Sequence, residues 1–292
     1  MKKLTLYIAT LISICFLAVS CKKQITVPLD QGKSQLAVSA FINNKRTPQV
    51  IILSATSPYL NNAPCPAATG ATVSLKDSKG NTHSFSDVAG NGYYTWTPTP
   101  GDTLVHVNYD YTLSINYNGV NYQAQSHANP VPKIDSMHYE LGKSFNPNAS
   151  KSYLVSFYAT DLPGRTDFYW IQGFKGDSLI HPQEITISID GSMGGSAGNG
   201  LPFIYPIRTS INPSFSGGYL PGDTCTVELN SINADTYFYF NEVNTAVQNT
   251  GLFSKPLANP ITNIKNTTPN STSTAVGYFN VAMTAVKGIR VK

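Results

Sequence analysis

The sequence predicts a mainly β protein made of two immunoglobulin-like β-sandwich domains, the second of which contains one helix. Three observations support this fold class. Short segments alternate apolar and polar residues, which is the period of a half-buried strand. Gly, Asn and Pro interrupt these segments at short intervals, as they do in turns, and a single segment has helical spacing. With 292 residues, the chain is long enough for two domains of ordinary size.

The first element, residues 1–20, has the layout of a secretory signal peptide. Lys2 and Lys3 precede an apolar run, and small residues follow it. The end of this segment, "LAVSC", resembles the lipobox of bacterial lipoproteins. That resemblance implies cleavage before Cys21, diacylglycerol on its sulfur and usually a further acyl chain on its amine. The alternatives are an uncleaved N-terminal helix, or an ordinary signal peptide followed by a coincidental cysteine.

The next element, residues 21–34, is polar and is interpreted as a tether. Lys22 and Lys23 would lie at the lipid headgroups, where basic residues are favoured by anionic lipid. They also replace the acidic residue that often marks inner-membrane retention of Gram-negative lipoproteins, so we expect a lipid-anchored protein of the outer membrane. Acidic export signals of some surface lipoproteins are absent too, and the sequence leaves periplasmic and surface leaflets both open.

Residues 35–130 are predicted to form the first sandwich. The segment "QLAVSAFI" places Leu36, Val38, Ala40 and Ile42 on one face. The clearest hairpin is "YTLSINYNGVNYQAQS", because the central Asn-Gly pair accepts the positive φ angles of a type I′ turn. Roughly seven short strands in about 100 residues, without a helical period, indicate an immunoglobulin-like sandwich.

Two prolines in "NPVPKID" mark a linker, and residues 133–292 are predicted to form a second, β-rich domain. Strand patterns resume in segments such as "SYLVSFYAT" and "EITISID". A helix is predicted near 234–249, with Asn233 or Asp235 as its N-cap and Gly251 as its stop. The residues of its expected buried stripe recur at i, i+3 and i+7: Phe240, Val243 and Val247.

Composition excludes nucleic acid as a partner. Removal of residues 1–20 takes away two lysines and leaves a net charge of 18 − 16 = +2, which is too small and too evenly spread for a nucleic-acid surface. After lipidation of Cys21, only Cys65 and Cys225 remain in the mature chain. They could form a disulfide in an oxidising compartment, or remain as two buried free thiols.

No catalytic residue, metal ligand or cofactor is assigned from the sequence. The glycine-rich stretch 191–200 lacks the Gly-Lys-Ser/Thr of a phosphate-binding loop. In residues 82–87, "THSFSD", neighbouring side chains of a strand would point to opposite faces and could not form a triad. A calcium loop needs several oxygen ligands, whereas Asp190 and its neighbouring glycines offer one carboxylate.

Two further patterns concern surface groups. Aromatic residues in two segments could stack on sugar rings, although alternating aromatics more often pack in the core or across strands; they are Tyr93, Tyr94, Trp96, Phe168, Tyr169 and Trp170. Three Asp-Ser/Thr-apolar tripeptides resemble the O-glycosylation acceptor of Bacteroidetes. Their candidate acceptors are Thr103, Ser136 and Ser178.

The order of these segments resembles a family of Bacteroidetes lipoproteins designated domain of unknown function 4249. The matching stretches run over almost the whole mature chain: "LAVSAFI", "VIILSATSPY", "GATVSLKDSKGN", "GYYTW", "YTLSINYNGVNYQAQS", "PGDTCTVELNSINADTYFYFNEV", "NPITNI" and "GYFNVA". The resemblance implies an outer-membrane lipoprotein, often encoded beside TonB-dependent receptors. It carries no established activity and no catalytic residues.

The sequence therefore favours a non-enzymatic, lipid-anchored accessory or binding partner of a TonB-dependent transport system. An alternative is a stand-alone surface lipoprotein that binds a glycan or a peptide. A third hypothesis is a hydrolase whose site is assembled from distant segments.

Overall fold

The computed structural model describes residues 33–58, 61, 63–142, 152–192, 198–213, 218–249 and 259–292. Cys21, the predicted signal peptide and most of the tether lie outside this part of the chain. Within it, sixteen strands and one α-helix confirm the prediction of a mainly β protein with a helix. The elements are β1 Leu36–Asn43, β2 Gln49–Ala55, β3 Thr72–Asp77, β4 Thr82–Phe85, β5 Tyr93–Trp96, β6 Asp110–Tyr117, β7 Val120–His127, β8 Ile134–Leu141, β9 Tyr153–Ala159, β10 Phe168–Lys175, β11 Ser178–Leu179, β12 Thr186–Ile189, β13 Thr224–Ile232, α1 Ala234–Gln248, β14 Lys265–Asn266, β15 Ala275–Ala282 and β16 Thr284–Arg290.

The first core lies between two sheets. One has the strand order β15-β1-β2-β5, and the other has the order β14-β7-β6-β3-β4. Alternation explains which side chains face inward: on β1, Leu36, Val38, Ala40 and Ile42 are buried as predicted, and the residues between them are not. The largest fully buried side chains of this first core are Tyr94, Tyr111, Phe279, Ile42, Ile51, Leu53, Leu75, Leu104 and Leu113. Two sheets that share one core form a sandwich-like arrangement.

The predicted hairpin is confirmed as the β6–β7 connection. Tyr117 pairs with Val120 across a two-residue turn, and the two turn residues, Asn118 and Gly119, have φ angles of 50° and 77°. Both angles are positive, as the type I′ geometry requires.

The second core lies between a five-stranded sheet and the β8–β9 pair. The larger sheet has the order β11-β10-β13-β16, with β12 also paired to β10. The buried apolar residues of the second core include Val155, Phe157, Tyr169, Ile171, Tyr219, Val227 and Leu229. The alternate residues of β10 are buried in the same way as those of β1, so one face of this strand points into the second core.

The end of the chain joins the two cores. After α1, β14 pairs with β7, and β15 pairs in parallel with β1, so both strands complete the sheets of the first core. One residue after β15 ends, β16 begins and pairs with β13 in the second core. Residues Ser34–Lys292 accordingly form one compact unit. The predicted boundary between two domains at 130–133 stays a prediction. Beyond that boundary, β14 and β15 pair with strands of the first core.

Helix α1 begins where it was predicted, but its buried stripe differs from the expected one. Asn233 occupies the N-cap position without a side-chain capping bond. Of the expected stripe only Phe240 is buried, joined by Thr236 one turn earlier, whereas Val247 is 52% exposed. The ring contacts of α1 with β1, β10 and β15 come from its first two turns, whereas in a later turn Asn244 exchanges two hydrogen bonds with the backbone of Ile185. Gly251 lies outside the described residues.

Candidate functional site

The candidate site is a cleft of about 160 Å³ where the two cores meet, here called the junction cleft. The end of β1 and the end of β15 form one side, and β10 and β13 form the other. Pockets at such junctions between packed bodies are frequent sites for small ligands. Three aromatic residues, four amides and one ion pair form or support its walls.

The aromatic part of the cleft arises from the outward faces of two strands. Phe41 lies on β1 between the buried Ala40 and Ile42, so its ring points away from the first core. Trp170 lies on β10 opposite to the buried face of that strand, and the two rings meet edge to face with centroids 5.7 Å apart. From α1, Phe240 stacks on Phe41 at 5.1 Å and contacts Trp170 at 5.1 Å. The indole of Trp170 is thereby held from two sides.

The amide of Asn230 is fully used within the protein. Its Nδ2 donates to the carbonyl of Trp170 at 3.2 Å and to Oε1 of Gln172 at 3.3 Å. Its Oδ1 accepts a hydrogen bond of 2.6 Å from the hydroxyl of Thr284. Asn230 is 3% exposed, and a buried amide with all these bonds satisfied acts as a fixed support for the cleft wall.

The other three amides are used through their oxygens only. Oδ1 of Asn43 accepts bonds from the backbone N–H of Lys45 and from the amide of Gln49. Oδ1 of Asn280 accepts a bond of 2.8 Å from the hydroxyl of Thr236, and Oε1 of Gln172 accepts the bond from Asn230. Their three NH₂ groups have no partner within the described part of the chain. The cleft therefore has a surplus of neutral hydrogen-bond donors.

An ion pair connects the two cores beside the amides. The ammonium of Lys45, in the β1–β2 connection, lies 2.8 and 2.9 Å from the two carboxylate oxygens of Glu228 on β13. The Glu228 side chain is only 12% exposed, which reduces solvent screening of the pair. Because the two charges are bonded to each other, the cleft carries no free net charge from this pair.

The six aromatic residues of the two segments do not share one exposed face: Tyr93 is exposed, whereas Tyr94 and Tyr169 are buried, as the packing alternative predicted. Tyr94 is 2% exposed, and its hydroxyl donates to the carbonyl of Ala68 at 2.8 Å. Burial raises the pKa of that hydroxyl. Tyr169 is fully buried in the second core, while Trp96 packs against the first core. Alternation along the strands separates neighbouring aromatics onto opposite faces, so Trp170 alone among the six lines the junction cleft.

Cys65 and Cys225, the two cysteines in the described part of the chain, are free thiols, and no disulfide joins them. Cys225 lies in the second core, where burial raises the pKa of its thiol to about 11. Cys65 is exposed in the loop after β2, which corrects the expectation that both thiols are buried. The proline- and alanine-rich composition of that loop offers no strand face to cover it.

The three candidate O-glycosylation residues differ in their surroundings. Thr103 is half-buried and its hydroxyl donates to the carbonyl of Asn44 at 2.8 Å. Ser136 is half-buried in β8, and its hydroxyl lies 3.1 Å from the imidazole of His138. Ser178 is exposed at the β10–β11 hairpin. Modification at these residues stays a prediction, as does lipidation of Cys21, and Ser178 has the most accessible hydroxyl of the three.

A second feature, not anticipated from the sequence, is a group of buried carboxylates at the start of β10. Asp161, Asp167 and Asp190 are 2%, 4% and 1% exposed. Asp161 accepts bonds from the hydroxyl of Tyr169 and from a backbone N–H, and Arg165 pairs with one oxygen of Asp167 at 2.5 Å. Within the described residues, the other oxygen of Asp167, Oδ2, and Oδ2 of Asp190 have no hydrogen-bond partner.

Burial is the main cause that raises the pKa of Asp167; Arg165 opposes it, and the neighbouring carboxylates add to it. Within the described residues, no group of three or more His, Cys, Asp or Glu side chains is arranged to hold a metal ion. Across the same residues, no helix combines the length and apolar character that are needed to cross a bilayer.

Comparison with known proteins gives one match. The family model described as Domain of unknown function (DUF4249) matches residues 22–287, a range that includes both cores and the junction cleft. No curated protein and no solved structure matches the chain.

Proposed function

We propose a binding function for this chain, which belongs to the DUF4249 family. In this proposal a lipid on Cys21 holds the protein at the outer membrane, and the compact unit Ser34–Lys292 binds a ligand there as an accessory to a TonB-dependent transporter. The protein acts by binding and not as an enzyme.

The observation that carries the proposal is the junction cleft. The ring of Trp170 in this cleft is held by Phe41 on β1 and by Phe240 on α1, and three amide donors in the lining lack partners in the described residues. Partly desolvated donors without partners are costly to maintain in an isolated protein, and a ligand with acceptor groups would satisfy them. This is the arrangement of a site prepared for a ligand.

The anchor is supported by the sequence. The segment "LAVSC" places small residues directly before Cys21, after an apolar run too short for a membrane span. One acyl chain gives only marginal membrane binding, whereas two or more chains hold a protein stably.

The anchor is tested by labelling cells of the native host with palmitate. We expect label in the wild-type protein and in C65S, which alters an exposed cysteine away from the anchor, and none in C21S. The C21S protein should also leave the membrane fraction. Label that remains in C21S would contradict the anchor.

The transporter partner is tested by purification of tagged protein from solubilised outer membranes. We expect a TonB-dependent receptor to be recovered with the wild-type protein and in smaller amount with C21S. A tagged protein that is fully lipidated but recovers no receptor would refute the accessory role and leave the anchor intact.

A second candidate is a surface lipoprotein that captures a glycan or a peptide without a transporter. The lining of the junction cleft favours it, since Trp170 and the amides of Asn43, Gln172 and Asn280 suit a small polar ligand. This candidate predicts ligand binding by the purified protein together with the absence of a receptor in the purification above.

A further inference from the structure

We infer that the junction cleft binds one ring of a neutral carbohydrate, stacked on Trp170 and hydrogen-bonded by the amides of Asn43, Gln172 and Asn280. The inference rests on the proposed binding function and specifies the class of ligand that the same site would take.

The stacking surface is the indole of Trp170. Pyranose rings have faces of C–H groups, which pack on aromatic rings, and hydroxyl groups around the rim. Contacts with Phe41 and Phe240 already fix the indole, with centroid distances of 5.7 and 5.1 Å. A ring that is ordered before binding loses little conformational freedom when a ligand arrives, which favours affinity.

The hydrogen-bonding groups are also ordered in advance. Each of the three amides is fixed by bonds to its oxygen, so its nitrogen is left to donate outward: Asn43 is fixed by Lys45 and Gln49, Asn280 by Thr236, and Gln172 by Asn230. Hydroxyl and ring oxygens of a sugar are acceptors that match these donors. A ligand with an apolar ring would leave all three amide donors without partners.

Charge and size narrow the ligand class further. Lys45 and Glu228 are the charged residues of the lining, and they neutralise each other at 2.8 Å, so an anion would find no free cation. The cleft volume of about 160 Å³ lies below the ~300 Å³ at which pockets for drug-sized ligands begin. Cavities of about 150 Å³ accommodate a six-membered ring. A neutral, acceptor-rich ligand with a single ring inside the cleft fits both limits.

The sequence offers a direct spectroscopic test, because it contains two tryptophans, Trp96 and Trp170. In the W96F variant the tryptophan emission comes from Trp170 alone, and in the matched W170F variant it comes from Trp96. We expect titration with galactose, mannose, N-acetylglucosamine or their disaccharides to change the emission of W96F. The same sugars should leave the emission of W170F unchanged.

A second pair of variants tests the donors without altering side-chain shape. N43D retains the oxygen that accepts from Lys45 and Gln49 but replaces the free NH₂ by an acceptor, and we expect sugar affinity measured by calorimetry to fall about tenfold. The control N121D makes the same substitution in an exposed hairpin residue whose oxygen accepts from Asn116. It should bind like the wild type. Circular dichroism checks that all four variants are folded.

The inference is overturned if no sugar of the panel changes the emission of W96F, or if N43D and N121D bind with equal affinity. If a mixed tripeptide pool changes the Trp170 emission and the sugars do not, the carbohydrate class is wrong while the proposed binding function stands. Retention of palmitate label in C21S would be a failure of the anchor alone, so the two proposals fail separately.

Discussion

The substitution D190N is expected to stabilise the protein, and to do so more at neutral than at acidic pH. Asp167 and Asp190 continue the antiparallel pairing of β10 and β12: the N–H of Asp190 donates to the carbonyl of Asp167 at 2.9 Å, and the N–H of Asp167 donates to Oδ1 of Asp190 at 2.6 Å. Side chains directly opposite each other are close, and like charges in such a pair are destabilising. In D190N the retained oxygen keeps the second bond, and we expect the new NH₂ to donate to Oδ2 of Asp167 across this pair.

The magnitude follows from the two oxygens that lack partners. A buried polar atom without a hydrogen bond costs about 1–3 kcal/mol. D190N removes one such oxygen and satisfies the other, so we take a gain of about 2 kcal/mol in the free energy of unfolding. For a unit of this size, about 2–4 °C of melting temperature corresponds to each kcal/mol. The expected increase is therefore about 4–8 °C.

The pH dependence has a definite sign. The pKa of Asp167 is raised in the folded protein, so the folded state retains a proton that the unfolded chain loses. The associated stability is fully present below the ordinary pKa of aspartate and is lost as the pH rises through the raised value. At about pH 5 the difference between wild type and D190N should thus be smaller than at about pH 8.

The assay is thermal unfolding followed by circular dichroism at these two pH values. The control D190A removes the acceptor for the N–H of Asp167 and should be less stable than the wild type at both. Asp190 has a φ of 48°, a region that Asn tolerates well, so the asparagine itself can stabilise the backbone of D190N. A gain from this backbone preference does not depend on pH. An equal gain at both pH values would thus refute the charge argument, as would a loss of stability in D190N at the higher pH.

Two further predictions concern a close backbone contact at Gly277 and the burial of the Cys225 thiol. Gly277 has a φ of 90°, and a Cβ there would lie 2.0 Å from the carbonyl oxygen of Val38, so G277A should lower the free energy of unfolding by about 3 kcal/mol in urea titrations. G288A, whose Cβ has a nearest neighbour at 3.3 Å, should change it by less than about 1 kcal/mol and serves as the control. Because burial raises the pKa of the Cys225 thiol to about 11, iodoacetamide at about pH 8 should modify the exposed Cys65 in the folded protein and reach Cys225 only after denaturation. Peptide mass spectrometry checks this, and modification of Cys225 in the folded protein would contradict its burial.

The local features of the fold were predictable because their causes are local. Alternation fixed the buried face of β1, and the Asn118–Gly119 pair fixed the turn of the β6–β7 hairpin through its positive φ angles. The start of α1 followed from the residues at its N-terminus. In each case neighbours within a few positions determine the outcome, so the printed sequence contains the information.

The junction cleft could not be predicted, because its parts are far apart in the chain. Phe41 and Asn280 are paired residues of β1 and β15 in one sheet, whereas Trp170 lies on β10 in another. Alternation shows that such residues leave one core, but it does not show what they meet outside it. Asn280 lies beside Phe41 because β15 pairs in parallel with β1, although more than 200 positions separate the two strands. No local pattern encodes that pairing.

The pairing of β15 also explains why two stretches that carried the family resemblance occur together. In "NPITNI", the amide of Asn263 donates to the carbonyl of Phe279 at 2.7 Å and accepts from its N–H at 3.0 Å, and the hydroxyl of Thr262 donates to the carbonyl of Gly277 at 2.7 Å. Phe279 and Gly277 belong to "GYFNVA" in β15. An edge strand offers unpaired backbone groups to other chains, and here side chains take the place of a further strand. The same strand positions Asn280 for the cleft, so the covering of this edge and the formation of the site depend on one segment.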